Sequence, residues 1–237
     1  MAANQIIAQD GFAESGFVLG VDTCGPSGSV ALAQFDGKTL QILGQTGLAG
    51  RSYSATLVAA TGELLEQHGL VLGAICAIVA VNGPGSFTGV RVGLSAVKGL
   101  AEPAGIPVAV VSRLAVLANK AGIANSALDA HRHEVFLRIG REGVEARELL
   151  AGAGELAAIA PPARIVFCDD AAGGLLGAAW PGTELLRFEA PNATDAMELA
   201  IPLIEAAEFV DLALLDGHYL RRSDAEIFGE PVGQKSA

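Results

Sequence analysis

Val81-Asn82-Gly83-Pro84-Gly85-Ser86-Phe87-Thr88-Gly89-Val90-Arg91-Val92-Gly93 follows Ala74-Ile75-Cys76-Ala77-Ile78-Val79-Ala80-Val81, a run without a charge. The length and β-branched content of that run predict a strand buried on both faces of a sheet. Beyond the loop, apolar residues recur at 90, 94, 97 and 101, which is helical spacing. A glycine-rich loop therefore joins the carboxyl end of a core strand to a helix N-terminus. Ligands and phosphates bind at such junctions in open α/β sheets. Ser86 or Thr88 can cap the helix and leave its first amides pointing outward.

The helix that follows carries Gly89, Gly93, Ser95, Ala96 and Gly99. Each interior glycine costs about 1 kcal/mol relative to alanine, so a helix of this composition needs close packing. Gly89, Gly93 and Ala96 share a face. Either a helix–sheet contact within the chain or the helix of a partner accounts for them.

The chain has 237 residues, of which 51% are hydrophobic and 17% charged, with mean hydropathy +0.45. These values describe a packed globular protein of one large or two small domains, not a disordered one. No apolar run approaches the roughly 18 residues of a membrane span. Residues 1–16 hold Asp10 and Glu14 and lack the basic start of a signal peptide, so they read as a loose N-terminal extension. With 26 acidic against 15 basic residues, the formal net charge is −11. A protein that grips nucleic acid directly presents a basic surface; here Arg221-Arg222 is a thin footprint, and RNA is expected to be contacted only indirectly. Cys24, Cys76 and Cys168 are odd in number and scattered without a C-x-x-C motif. Neither zinc nor a disulfide framework is indicated, and a cytoplasmic setting is expected.

Taken in order, Phe17–Val21 reads as a strand ending at Asp22-Thr23. A turn through Gly25-Pro26-Ser27-Gly28 leads to a second strand, Asp36-Gly37 is a hairpin signal, and a third strand runs from Thr39 to Gln45. Ser52 to His68 places Tyr53, Leu57, Leu64 and Leu65 on one helical face, with Gly69 as terminator. The core strand and the small-residue helix come next, then Pro107–Val111 as a strand and a helix capped by Ser112. The order β-β-β-α-β-α is that of a ribonuclease-H-like unit. The second half repeats it more faintly, with strands at 124–129, 134–139, 164–168 and 183–188. Its last helix is expected near Asp195, where Asp195 and Glu198 have capping-box spacing, with a kink at Pro202. The fold class is thus α/β, two ribonuclease-H-like subdomains of the actin, sugar-kinase and heat-shock ATPase architecture. The subdomains are placed at 17–112 and 113–222, with the final helix able to return to the first, and a tail at 223–237.

Asp22, at a strand tip beside a Gly/Ser turn, is either an Asx turn or a carboxylate facing phosphate and hydrated Mg²⁺. The Gly83–Gly89 loop lacks the Lys-Ser/Thr of a Walker loop and departs from G-x-G-x-x-G and G-x-S-x-G. It remains a backbone loop that could cradle an anion or fix a contact surface. His131 and His133 flank Arg132 in a turn, without a third ligand in reach of the pattern, so no metal site is assigned.

Gly83-Pro84-Gly85-Ser86-Phe87-Thr88-Gly89-Val90-Arg91-Val92-Gly93-Leu94, followed by Lys98-Gly99-Leu100-Ala101, resembles the signature of the TsaB (YeaZ) family of tRNA threonylcarbamoyladenosine biosynthesis proteins. Leu19-Gly20-Val21-Asp22-Thr23, Leu128-Asp129-Ala130 through Glu134-Val135-Phe136, and Tyr219-Leu220-Arg221-Arg222 agree in order. The resemblance spans roughly residues 17 to 222. The turn departs from the family's D-A-R-x-G-E-V-Y, since His131 and His133 replace the Arg and the Gly. Tyr53 stands where many relatives keep a histidine. The catalytic paralogue, TsaD, is similar in fold and carries an H-x-x-x-H metal pair after the third strand; the segment Arg51 to Leu57 holds no histidine here.

The resemblance implies a non-catalytic scaffold without a cofactor of its own, pairing with a TsaD-like carbamoyl-transferase and forming a homodimer when alone. A TsaE-like ATPase and a TsaC-like enzyme complete the pathway to N6-threonylcarbamoyladenosine at tRNA position 37. ATP or ADP with Mg²⁺ is expected only in the complex. Its degenerate phosphate-facing residues would be Asp22, Thr23, Gly83, Pro84, Gly85, Ser86, Thr88 and Gly89. The partner face would comprise Tyr53, Leu57, Leu64, Gly89, Arg91, Val92, Gly93 and Ala96, so Gly93→Leu is expected to abolish pairing. The competing readings are a small ATPase or kinase acting through Asp22 and the Gly83–Gly89 loop, and a glycoprotease, for which no nucleophile–base pair is evident.

Overall fold

The structure, a computed structural model, describes residues 6–8, 15–50, 52–141 and 144–221. The first half contains β1 (Ile6–Ala8), β2 (Gly16–Asp22), β3 (Ser27–Phe35), β4 (Leu40–Ala49), α1 (Tyr53–Gln67), β5 (Ile75–Val81), α2 (Phe87–Ala104), β6 (Val108–Val111) and α3 (Arg113–Ala121). The second contains β7 (Ser126–Asp129), β8 (Val135–Arg141), β9 (Val144–Ala151), α4 (Ala153–Ala158), β10 (Arg164–Phe167), α5 (Asp170–Ala179), β11 (Glu184–Arg187), α6 (Ala193–Glu205) and β12 (Glu208–Val210).

One sheet has the order β4-β3-β2-β5-β6 and the other β9-β8-β7-β10-β11. In each, three strands form an antiparallel meander and the last two join in parallel. The two halves therefore repeat one topology. β5 is the uncharged run of the sequence, and all of its residues but Cys76 are buried. It needs cover on both faces because every residue is apolar.

That cover comes from an exchange. α3 ends the first repeat, but Leu114 and Leu117 pack with Leu128, Phe136 and Val166 of the second sheet. α6 ends the second repeat, but Ala193, Ala196, Met197, Ala200 and Ile204 lie in the core of the first. At Gly20 of β2 an added Cβ would come within 2.8 Å of Met197. α1 and α2 close the opposite face of the first sheet, whereas α4 and α5, with Leu156, Leu176 and Trp180, close the outer face of the second. Lys120 of α3 pairs with Asp195 of α6 at 2.9 Å where the two exchanged helices meet.

Local differences from the sequence reading have simple causes. α6 starts two residues before Asp195 because Asn192 supplies the cap, accepting from the amides of Thr194 and Asp195, while Asp195 reaches back to the Asn192 amide. Pro202 falls in the last turn of α6. Part of the supposed extension is ordered: β1 pairs antiparallel with β12. The tail at 223–237 lies outside the described residues.

Candidate functional site: the strand-tip crevice and the outer helical face

Asp22 is the last residue of β2. Its Oδ1 accepts from the Cys24 amide at 2.8 Å, which closes an Asx turn. Its Oδ2 faces Arg113 Nε at 3.4 Å. Asp22 is 1% exposed and Arg113 5%, so this is a buried ion pair. Burial works against the Arg113 charge, but Asp22, with smaller contributions from Cys24 and Cys168, outweighs it and raises the guanidinium pKa. Tyr53 closes the pocket from α1, its hydroxyl donating to the Gly25 carbonyl at 2.8 Å. Burial and then the Asp22 charge push the Tyr53 phenol up to about 12.

The loop from β5 is pressed against the same tip. The Ser86 amide donates to the Cys24 carbonyl at 2.8 Å, and the Arg113 amide donates to the Gly83 carbonyl at 2.6 Å. Thr23 Oγ1 donates to the Gly89 carbonyl at 2.8 Å. A Cβ at Gly85 would collide with the Cys24 carbonyl, one at Gly89 with the Thr23 carbonyl, and one at Gly93 with Thr23 Oγ1. These glycines allow α2 to lie on the β2 tip. Ser86, as N-cap of α2, accepts from the Gly89 amide, and Thr88 is exposed beside it. Pro84 is buried after a cis peptide bond.

Hydrated Mg²⁺ with a nucleotide requires carboxylate oxygens that water can reach. Both Asp22 oxygens are engaged inside the chain, so these residues do not fit that group. The corresponding tip of the second repeat is Asp129, which ends β7 and accepts from the His131 amide at 2.7 Å. Its partner is the His131 side chain, at 2.9 Å. The turn it supports puts His131, Arg132 and His133 all at positive φ, 60°, 57° and 61°. Among the described residues no group of three or more His, Cys, Asp or Glu is arranged to hold a metal ion.

The residues expected on a partner face divide in two. Tyr53, Leu57 and Leu64 are buried in the first core, and Gly89 and Gly93 are buried against the β2 tip. Arg91 is exposed, and Val92 and Ala96 are half-buried. On the neighbouring α1 and α2, Ala55, Val58, Ala59, Gly62 and Gly99 are exposed, while Val92 and Ala96 pack partly against the core. Val58 is 54% exposed. Gly62 and Gly99 have nothing within 4 Å of an added Cβ, in contrast to Gly89 and Gly93.

Two groups escaped the sequence reading. Arg113 opens α3, where the helix dipole disfavours a cation; that misfit is the signal that a buried anion holds it. Glu148 of β9 gathers Ser112 Oγ, at 2.8 and 2.7 Å from its two oxygens, Arg138 at 2.8 Å and His218 Nε2 at 2.9 Å. Burial alone would raise its pKa, but the hydrogen bonds from His218, Ser112 and Arg138 outweigh it and hold the carboxyl below its ordinary value. Residues so far apart in sequence leave no local pattern.

Two five-stranded sheets of one topology, exchanging their last helices around strand-tip aspartates, define a protein of the ribonuclease-H-like, actin and sugar-kinase architecture. Within that class the similarities are to TsaB and its paralogue. Residues 46–155 match the family model for TsaD, tRNA N6-adenosine threonylcarbamoyltransferase. The tRNA threonylcarbamoyladenosine biosynthesis protein TsaB of Haemophilus influenzae is 36% identical over 134 residues, 54% of this chain and 55% of that protein. TsaB of Escherichia coli K12 is 34% identical over 125 residues, 50% of this chain and 52% of the relative. The chain thus spans about half the length of these curated relatives. The crystal structure of a Pseudomonas aeruginosa protein described as similar to peptidase YeaZ matches with TM-score 0.71 and 28% identity, over 87% of this chain and 100% of that one. The chain is thus similar to TsaB (YeaZ) proteins over about half its length in sequence and over most of it in fold. Among its described residues no helix is long and apolar enough to cross a membrane.

Proposed function

We propose that this chain serves tRNA threonylcarbamoyladenosine biosynthesis as a non-catalytic scaffold that docks a TsaD-like transferase through the outer face of α1 and α2. The observation that carries this reading is the pair Gly62 and Gly99. Each interrupts a helix at a cost of about 1 kcal/mol, and neither is needed by anything inside the chain. Small residues on adjoining helices let a partner's backbone approach closely. Ala55 and Ala59 recur with Gly62 at helical spacing on α1, Val92 and Ala96 recur with Gly99 on α2, and Val58 supplies an exposed apolar anchor. The engagement of Asp22 by Arg113 supports the non-catalytic part. Any ATP or ADP with Mg²⁺ in the assembly would then be held by groups the partners supply, among them a TsaE-like ATPase, and tRNA would be contacted chiefly through the transferase.

The test is co-purification with the TsaD-like subunit. Gly62→Arg and Gly99→Arg should each abolish the complex while the lone chain still unfolds in a cooperative thermal transition. Retained binding by both variants would refute this face. Gly93→Leu does not serve, because its side chain would strike Thr23 and a loss of binding would report on folding. Sedimentation of the lone chain should show a homodimer through the same face, dissociated by the same variants. Titration of the lone chain with Mg-ATP by calorimetry should give no binding heat.

A further inference from the structure

Residues 211–221 follow β12 and have no regular secondary structure beyond a turn, yet their second half touches both subdomains. Leu215 is buried in the first core and anchors the segment. The His218 amide then donates to the carbonyl of Asn82, at the carboxyl end of β5, at 2.7 Å. A Cβ at Gly83 would come within 3.0 Å of the His218 carbonyl, so the segment lies directly on the glycine-rich loop. On the first subdomain, the Tyr219 ring sits 5.0 Å from that of Phe87, and its hydroxyl accepts from Arg91 Nε at 3.3 Å. Arg91 also stacks on Phe87, with the guanidinium 3.8 Å from the ring centroid. On the second subdomain, His218 reaches Glu148 of β9, Leu220 packs beside Leu114 and Phe136, and Arg221 pairs with Glu134.

We propose that residues 216–221 are a latch, clasping the two subdomains across the crevice and covering the carboxyl end of β5 and the Gly83 loop until it is displaced. Three features give it that character. It joins the two subdomains through partners in the loop after β5, in α2 and α3, and in and beside β8 and β9. Its hold comes mostly from side-chain contacts of half-exposed residues, which open at lower free energy than strands in a core. It departs from a fixed point, since Leu215 is 4% exposed and Asp216 next to it is exposed. The surface that opening uncovers is the strand-end crevice where ligands of α/β sheets bind. Closure is thus a property of the chain by itself and does not depend on which partner docks on α1 and α2.

Hydrogen exchange on the full chain tests this. In the wild-type protein, amides of 83–89 and 216–221 should exchange together, faster than those of β2 and β5. In Tyr219→Ala/Arg221→Ala, both segments should exchange about tenfold faster or more, with β2 and β5 unchanged. If 83–89 is unaffected, or if acceleration spreads equally to β2 and β5, the latch is refuted. Should the double variant fail to fold, Arg91→Ala removes the hydrogen bond to Tyr219 and the stacking on Phe87 and must give the same pattern at smaller amplitude; its absence there overturns the proposal equally. The readout uses the lone chain, so a failed complex with the transferase leaves it intact.

Discussion

Arg113 and Asp22 depend on each other more than on anything else in the crevice. Removing one partner of a buried pair leaves an uncompensated charge, which typically costs 3–5 kcal/mol. Arg113→Met should therefore lower the unfolding free energy by about that amount in urea titrations, and Asp22→Asn in the same background should recover part of it. The turn at 131–133 has the opposite sign. An L-residue in the left-handed region costs roughly 1–2 kcal/mol, and His133 is exposed, so His133→Gly should stabilise the chain by about 1 kcal/mol, less the added freedom of glycine when unfolded. Glu148 sets an acid limit. Its folded pKa lies below the ordinary 4.5, so its contribution is present above that value and is lost as pH falls through the lowered one. Glu148→Gln should be less stable near neutrality and show a flatter decline on acidification, measured by thermal unfolding at stepped pH.

On the helices, the same residue type has two meanings. Gly89 and Gly93 admit the β2 tip, whereas Gly62 and Gly99 face outward. Gly62→Ala and Gly99→Ala should each raise helix stability by about 1 kcal/mol, and Gly93→Ala should do the reverse; chemical denaturation of the three variants checks both signs. The sequence pattern disclosed that α2 is rich in small residues, because spacing along a helix is local information. It did not disclose which of them meet the chain itself, because that depends on where Thr23 arrives from a strand far away in sequence. The same division holds elsewhere. β5 was legible as an uncharged run, α3 by its Ser112 cap, and the hairpin by Asp36-Gly37. The Asp22–Arg113 pair and the Glu148 cluster were not, since each joins elements from separate parts of the chain. Tyr53 illustrates the cost of reading from family position alone: it is a buried lid on the Gly25 turn, not a surface contact.

For the whole molecule, the exchange of α3 and α6 removes the independence that two repeats would otherwise have. A fragment of residues 17–112 would keep its five strands but leave the face under Met197 and Ile204 bare. It is expected to aggregate or bind a hydrophobic dye, and the full chain to unfold in one calorimetric transition. Supplying a 188–221 peptide to the fragment should reduce the dye signal. Because the ribosome delivers roughly 5–20 residues per second, the first sheet waits on the order of 5–20 s for the helix that completes it. During that interval its uncovered side is a ready substrate for holding chaperones, so maturation of the earlier half is timed by emergence of the later one.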